Sequence, residues 1–311
     1  MDKFIQLLND LENHMITTGN RFRARAYHKA AESLIQHPET NFEDLIQLPN
    51  IGISIFQTLK KYDKISQYLD DMKKTPIYIF TKIYGIGPKK AKQLIEVHKI
   101  TTIAELQKQQ DDVLNNLQKK GLKYFKDSQL RIQRAEIDEF KMCLQQIFEK
   151  LKYVTDSTFE IVGSYRRGAT NSGDIDIIIT NSKNNRQIFE EFLTALKKKG
   201  IIIETFSQGH IKSLTMGRIK NYPARRIDFM YSPPTEYAFA LLYFTGSKEF
   251  NVVMRARALS MGFSLNEHGF SLGNKKKISW NFPTEESIFE FLGMVYKTPE
   301  KRINGTAVKD I

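Results

Sequence analysis

Apolar residues recur three and four apart at the start of the chain: Phe4, Leu7, Leu8 and Leu11, then Tyr27, Ala30, Ala31, Leu34 and Ile35. That spacing gathers each set on one helix face and predicts an all-helical segment over residues 1 to about 72. Leu48-Pro-Asn-Ile-Gly52 interrupts it and starts another helix. A second helical block, from about Pro76 to Phe140, holds a similar break at Tyr84-Gly-Ile-Gly-Pro88. The period changes near residue 153. Short β-branched runs at Phe159–Val162, Ile175–Thr180, Ile201–Thr205 and Arg226–Tyr231 predict strands, with a helix around Arg186–Lys199 joining two of them. Pro233-Pro234 marks a linker into a last α+β segment. A helical half followed by a mixed half fits a modular enzyme with a separate grip on its substrate.

Charge adds the nature of the partner. The 311 residues carry 47 Lys and Arg against 35 Asp and Glu, a net +12 that favours a polyanion. Cys143 is the only cysteine, so neither a disulfide framework nor a cysteine-based zinc site can form within one chain. No run of about 18 apolar residues offers a membrane span, and no cleavable leader opens the chain, so it reads as intracellular.

The chemistry concentrates in Gly163-Ser-Tyr-Arg-Arg-Gly168 and Gly173-Asp-Ile-Asp176. The run from Asp174 to Thr180 reads as a strand, and side chains two apart on a strand share a face, so Asp174 and Asp176 can aim at one spot. Paired carboxylates suit hard divalent cations. The serine, the arginine fork and the glycine amides upstream suit phosphate oxygens. The combination reads as a triphosphate gripped beside a metal pair. Asp228, in the apolar run Arg225-Arg-Ile-Asp-Phe229, is a candidate third carboxylate if its strand lies beside the first two. Tyr243 and Phe244, at a turn relieved by Gly246, could pack against a sugar and leave no room for a 2′-hydroxyl. Asn251 and Arg255, four apart, share a helix face that could meet a base pair. At both helical breaks, glycines let amides approach an anion at a helix start, with Lys89, Lys90 and Lys92 behind the second.

The breaks resemble helix-hairpin-helix motifs, which hold DNA backbone through Gly52, Gly85, Gly87, Lys89 and Lys90. That resemblance implies a Na+ or K+ ion on the carbonyls of Ile46, Leu48 and Ile51, and another on those of Thr81, Ile83 and Ile86. Asn50 replaces a leading glycine but tolerates the left-handed conformation. The whole order of motifs, with Gly121-Leu-Lys-Tyr-Phe125, Tyr243-Phe-Thr-Gly-Ser247, Met254-Arg255, Gly262-Phe-Ser-Leu-Asn-Glu267 and Ile288-Phe289 to Tyr296, resembles the family X DNA polymerases, most of all the beta type. The resemblance implies a multidomain α and α+β protein. It would have a helical DNA-binding, lyase-like domain (1–72) and helical fingers (73–133), then a nucleotidyltransferase palm with a mixed sheet (134–234) and a small α+β thumb (235–311). It implies that Asp174 and Asp176 bind two Mg2+ ions, with Mn2+ as a substitute, and that Asp228 joins the catalytic one. Arg131, Ser164, Arg167, Gly173 and Gly246 would serve the nucleotide, with Tyr243, Phe244 and Asn251 at its sugar and base; Arg226 and Arg255 would contact DNA, and Glu267 would support the closed form. The implied partners are dNTP and gapped or nicked DNA, the implied state a monomer, and the implied location the nucleus, or cytoplasm or virion for a viral protein. A bacterial relative would carry a phosphoesterase domain after the thumb, so an end near Ile311 fits a eukaryotic or viral origin.

Departures narrow that expectation. The beta type's lyase lysine falls at Thr58 and a supporting lysine at Ser54; threonine has no amine for an imine, and Lys60 and Lys61 point elsewhere on the helix, so lyase activity is expected to be weak or absent. Lys248 stands in place of an acid, Met230 in place of an arginine that helps switch Asp228, and His268 in place of an aromatic partner of Glu267. The alternatives are a template-independent terminal transferase, a poly(A)- or CCA-adding type of enzyme, and a non-catalytic DNA-binding protein. Tyr243-Phe244 and the short 216–225 segment argue against the first, the two hairpins against the second, and three intact aspartates against the third.

Overall fold

Helices Asp2–Thr17 and Arg21–Gln36 bury their apolar stripes in one core, where Leu8, Leu11, Ala30 and Leu34 meet Leu45, Ile51, Phe56 and Leu59. Asn20 caps the second helix by accepting a hydrogen bond from the Arg23 amide. The computed structural model describes residues 1–272, 278 and 280–304. It divides into two units, Met1–Phe125 and Lys126–Ile311.

The first unit contains both breaks. Before the first, the chain forms a 3-10 helix, Phe42–Gln47, rather than the expected α-helix. Pro38 and Pro49 bracket a stretch too short to offset α-helix nucleation. Asn50 then takes φ 63°, and its side chain donates to Ser33 Oγ at 3.2 Å, which ties the turn to helix Arg21–Gln36. Helix Ile53–Lys60 begins behind Gly52. At the second break Gly85 takes φ 84°, and Pro88 opens helix Pro88–Glu96 behind Gly87. Helix Asn116–Lys123 buttresses this turn: Gln118 Nε2 donates to the Gly85 carbonyl at 3.0 Å. A Cβ on Gly121 would lie 2.2 Å from the Tyr84 carbonyl, so only glycine fits there. The expected second block does not run unbroken to Phe140. Ile132–Gln133 leaves it to pair with Asn171–Ser172, and a separate helix runs Arg134–Phe148.

The second unit is built on a five-stranded sheet. Its strands in chain order are β1 (Ser157–Ile161), β2 (Ile175–Asn181), β3 (Ile202–Gln208), β4 (Lys212–Gly217) and β5 (Arg225–Tyr231). Their spatial order is β1-β2-β5-β4-β3, with β2 and β5 parallel and every other pair antiparallel. Helices Arg134–Phe148 and Gln187–Lys198 pack Phe140, Leu144, Phe148, Phe189 and Phe192 against it. β4 has no counterpart among the predicted strands. Its buried face carries Ser213 and Thr215, whose hydroxyls donate to the carbonyls of Ser207 and Ile227, so polar residues do a core job and mask the apolar period. Arg225 on β5 and Glu136 form a buried two-point ion pair at 2.6 and 2.8 Å, which fixes the first of these helices on the sheet.

Helices Tyr237–Thr245 and Lys248–Ser260, the hairpin Phe263–Asn266/Gly269–Leu272 and helix Glu285–Phe291 then share a core of Phe239, Phe250, Phe270, Phe282 and Phe289. Among the described residues no helix is long and apolar enough to cross a membrane.

Candidate active site

Parallel pairing puts Asp176 of β2 directly beside Asp228 of β5. Asp174 belongs to the bend before β2 rather than to the strand itself, so the strand starts one residue later than the expected run from Asp174. It still points with Asp176, and one carboxylate oxygen from each of the three acids lies within 4.8 Å of the others. Among the described residues this is the one group of three or more His, Cys, Asp or Glu side chains so placed.

Such crowding has an electrostatic consequence. Burial, then the charges of Asp174 and Asp228, push the Asp176 carboxyl up to about 7. Burial also raises Asp174, against the pull of Arg226. Arg226 donates to Asp228 from Nε at 3.1 Å and from a terminal nitrogen at 2.5 Å, and that nitrogen lies 3.9 Å from Asp174. Asp228 thus pairs with Arg226 and belongs to the cluster at once. One guanidinium does not neutralise three close carboxylates. A hard divalent cation would, and the all-oxygen donor set fits one.

The turn upstream is tied to this cluster. The Val162 amide donates to the Asp176 carbonyl at 2.9 Å. Gly163 has φ 64°, and a Cβ there would lie 3.0 Å from Asp176 Oδ2, so conformation and space both require glycine. Ser164 Oγ meets Ser172 Oγ at 2.8 Å. Arg131 holds Asn171 through two hydrogen bonds of 2.7 and 3.0 Å and passes beside Gly173. Arg167, its pKa lowered by burial, donates to the Thr245 carbonyl and lies beside Gly246. Arg131, Ser164 and Gly173 therefore gather along the segment 171–173 just before Asp174, whereas Arg167 turns to the end of helix Tyr237–Thr245.

Tyr243 and Phe244 are not at a turn. They occupy the end of helix Tyr237–Thr245, because the break comes only at Gly246, with φ 65°. Asn251 donates to the Tyr243 carbonyl at 2.7 Å, and Tyr243, Asn251 and Arg255 line one shallow pocket. Phe244 turns the other way, onto Val162, Ile178, Met230 and Ala240. Met230 is thus a core residue between β5 and this helix. Nearby, His268 Nδ1 lies 2.7 Å from Glu236 and Nε2 lies 3.9 Å from Glu267. The sequence reading missed the inward anchor of Arg166, which holds Glu285 at 2.7 and 3.1 Å and Thr245 Oγ1 at 2.7 Å. Two adjacent arginines gave no sign that one reaches the Thr245 carbonyl and the other a buried acid 119 residues away.

The hairpin residues lie in the first unit. Leu48 and Ile83 carbonyls accept turn hydrogen bonds from Ile51 and Ile86. Ile46 is partly exposed, and Thr81 Oγ1 donates to the Tyr78 carbonyl. Lys89 and Lys90 fall in the first turn of helix Pro88–Glu96.

The raised Asp176 acid makes a stability prediction. Its folded pKa of about 7 exceeds the ordinary 3.8, so between those values the folded state binds more protons than the unfolded one. Stability from this group therefore falls as pH rises through that window. Without metal, Asp176→Asn is expected to melt higher than the parent near pH 8 and to lose that advantage near pH 4. Excess Mg2+ should stabilise the parent more than the variant at the higher pH. Calorimetry with and without chelator checks this; equal melting of both proteins across the range would contradict it.

Comparison with known proteins covers most of the chain. Residues 2–68 match a helix-hairpin-helix domain, 78–129 the fingers domain of DNA polymerase lambda, 131–234 the DNA polymerase beta palm and 240–303 the DNA polymerase beta thumb. DNA polymerase lambda of Arabidopsis thaliana is 31% identical over 96% of this chain and 61% of its own length. DNA polymerase lambda of Rattus norvegicus is 28% identical over 91% of this chain and 53% of its own. DNA nucleotidylexotransferase of Xenopus laevis is 25% identical over 96% of this chain and 68% of its own. The chain thus spans about half to two thirds of these relatives.

Proposed function

The chain belongs to the family X DNA polymerases, and from that premise we propose that it fills short gaps in DNA by template-directed addition of dNTPs to a primer 3′-hydroxyl. The observation that carries this reading is the convergence of Asp174, Asp176 and Asp228 beside the Ser164–Arg167 turn. In this reading residues 1–72 and 73–133 grip DNA, 134–234 perform the transfer and 235–311 select the nucleotide.

Two Mg2+ ions, or Mn2+ in their place, would lower the pKa of the primer hydroxyl and steady the leaving pyrophosphate. Asp174 and Asp176 would hold both ions. Asp228 orients the attacking hydroxyl and accepts its proton. Arg226, engaged by Asp228 in the free protein, exchanges that carboxylate for a DNA phosphate. Ser164, Arg167, Arg131 and the Gly173 amide hold the nucleotide phosphates in line. Tyr243 with Gly246 shapes the sugar site, Phe244 braces the helix end that carries Tyr243 against the sheet, Asn251 meets the new base and Arg255 the DNA.

DNA itself is held by the hairpins. At Gly52 and Gly87 a Cβ would meet nothing within 4 Å, and neither has positive φ. No contact inside the protein demands glycine there, whereas a phosphate backbone drawn up to the amides would. Lys89 and Lys90 add charge. Carbonyls of Ile46, Leu48 and Ile51, and of Thr81, Ile83 and Ile86, would hold Na+ or K+ between turn and phosphate. The protein works as a monomer on gapped or nicked DNA in base excision repair, in the nucleus of a eukaryotic host or wherever a viral genome is copied.

Lyase chemistry is weak or absent. Thr58 Oγ1 donates to the Ser54 carbonyl at 2.9 Å, and Lys60 Nζ sits over the Phe56 ring at 4.9 Å. On an incised abasic substrate, borohydride is expected to trap little covalent adduct. A strong adduct that Lys60→Ala and Lys61→Ala abolish would reverse this view. Terminal transfer remains the competing reading because of the Xenopus relative, but residues 218–224 between β4 and β5 are too few for a template-displacing loop. Primer extension on gapped and ungapped templates separates the two.

A further inference from the structure

On the edge of the sheet away from the aspartates lies a wide-mouthed cleft of about 510 Å³. β3 is the edge strand there, and β4 separates it from β5, which carries Asp228. The cleft opens between helix Arg134–Phe148, the entry to β3 and the residues just after β4. Its floor is apolar, with Met142, Ile201, Ile203 and Ile219. Met142 keeps 60% of its surface exposed and adds its side chain to the apolar lining of Ile201, Ile203 and Ile219. The strand pairing steps irregularly between Ile202 and Glu204, so Ile203 falls at the irregularity.

The rim has the opposite character. Lys199, Arg218 and Lys220 line the cleft against one carboxylate, Glu139, a balance of three positive to one negative. Lys220 holds Glu139 at 2.6 Å, and Arg218 is 3.8 Å from Asp127 with nearly half its side chain exposed. An apolar floor under a cationic rim is poorly matched to a nucleic acid, which would leave the floor wet. It matches a short peptide segment with one or two bulky apolar side chains between acidic residues, the apolar groups filling the cleft and the acids meeting the rim.

We propose that this cleft is a docking site for an acidic, apolar-centred segment of a partner protein, separate from DNA and nucleotide. Docking there would tether the polymerase to another protein without covering the carboxylates. Because the rim charges are exposed, affinity should fall as salt rises, while the apolar floor supplies the selectivity.

The test pans a display library of short random peptides on the full-length chain, with Met142→Glu as the counter-selection protein. Selected peptides are then synthesised and titrated against the parent, Met142→Glu and the double variant Lys199→Glu/Arg218→Glu. None of these positions belongs to the proposed catalytic or DNA-holding sets, so gap filling should be unchanged and reports that the variants are folded. The proposal expects enriched peptides with bulky apolar residues flanked by Asp or Glu, bound about tenfold more weakly by each variant, roughly 1.4 kcal/mol. Enrichment that ignores Met142→Glu, or peptides lacking acidic residues, would overturn it. So would loss of DNA affinity in the charge variants with peptide binding intact, which would make this face a nucleic-acid surface.

Discussion

Replacing Asp176 with asparagine is expected to cut nucleotide addition by about 10⁴-fold, roughly 5–6 kcal/mol of transition-state stabilisation. The amide keeps the shape of the side chain and removes its charge. Asp174 and Asp228 remain, but two carboxylates with Arg226 beside them leave little net negative charge to hold two divalent ions. Gapped-DNA affinity should stay within about threefold, because in the proposed reading backbone contacts through the hairpins and lysines set it. Single-turnover extension with parallel binding titrations checks both halves. Retention of more than a few per cent of the rate would remove Asp176 from the metal site.

Glu285→Ala is expected to destabilise the second unit by about 3–5 kcal/mol, the usual cost of stripping one partner from a buried ion pair. Glu285 is 5% exposed and serves two arginines, Arg166 at 2.7 Å and Arg302 at 2.5 Å. Arg302 is fully buried, with Phe250, Phe289 and Tyr296 around its guanidinium, so it has no solvent to turn to. Glu285→Gln keeps hydrogen-bonding oxygen and shape and should cost clearly less. The functional effect follows the same bonds. Arg166 also holds Thr245, and Thr245 holds Arg167, so loss of Glu285 loosens the Gly163–Gly168 turn and the helix end that carries Tyr243. The KM for dNTP should rise about tenfold at a temperature where the variant is still folded. Denaturant unfolding and steady-state extension read the two effects separately. Equal stability of parent and Glu285→Ala would show that the buried arginines find other partners.

These two residues mark how far the chain can be read without coordinates. Asp176 was legible because its chemistry is local: period two on a β-branched strand, glycine ahead of it, a hydroxyl and arginines nearby. Asp228 followed from a second apolar run that could tolerate a carboxylate only beside the first. Glu285 was invisible, since nothing near it in sequence signals an arginine 119 residues earlier. The same division holds for the fold. Strands with alternating or continuous apolar residues were readable, while β4 was hidden by buried Ser213 and Thr215. The helical position of Tyr243 and Phe244 was obscured by Gly246, which ends the helix rather than bending the pair. Asn50 was legible as a left-handed residue, but its hydrogen bond to Ser33 was not. Gly121 reads as an ordinary helical glycine until the Tyr84 carbonyl is seen against it.

In the proposed function, one site joins template-matched deoxynucleotides to a primer inside a gap. Primer extension on a short gap and on an ungapped single-stranded primer, with deoxy- and ribonucleotides in parallel and each base offered alone, tests it most directly. The expected result is Mg2+-dependent addition of the base that pairs with the template, favoured in the gap, ending when the gap is filled, and strongly selective for deoxyribose. Addition to the single-stranded primer irrespective of template, or equal use of ribonucleotides, would contradict it.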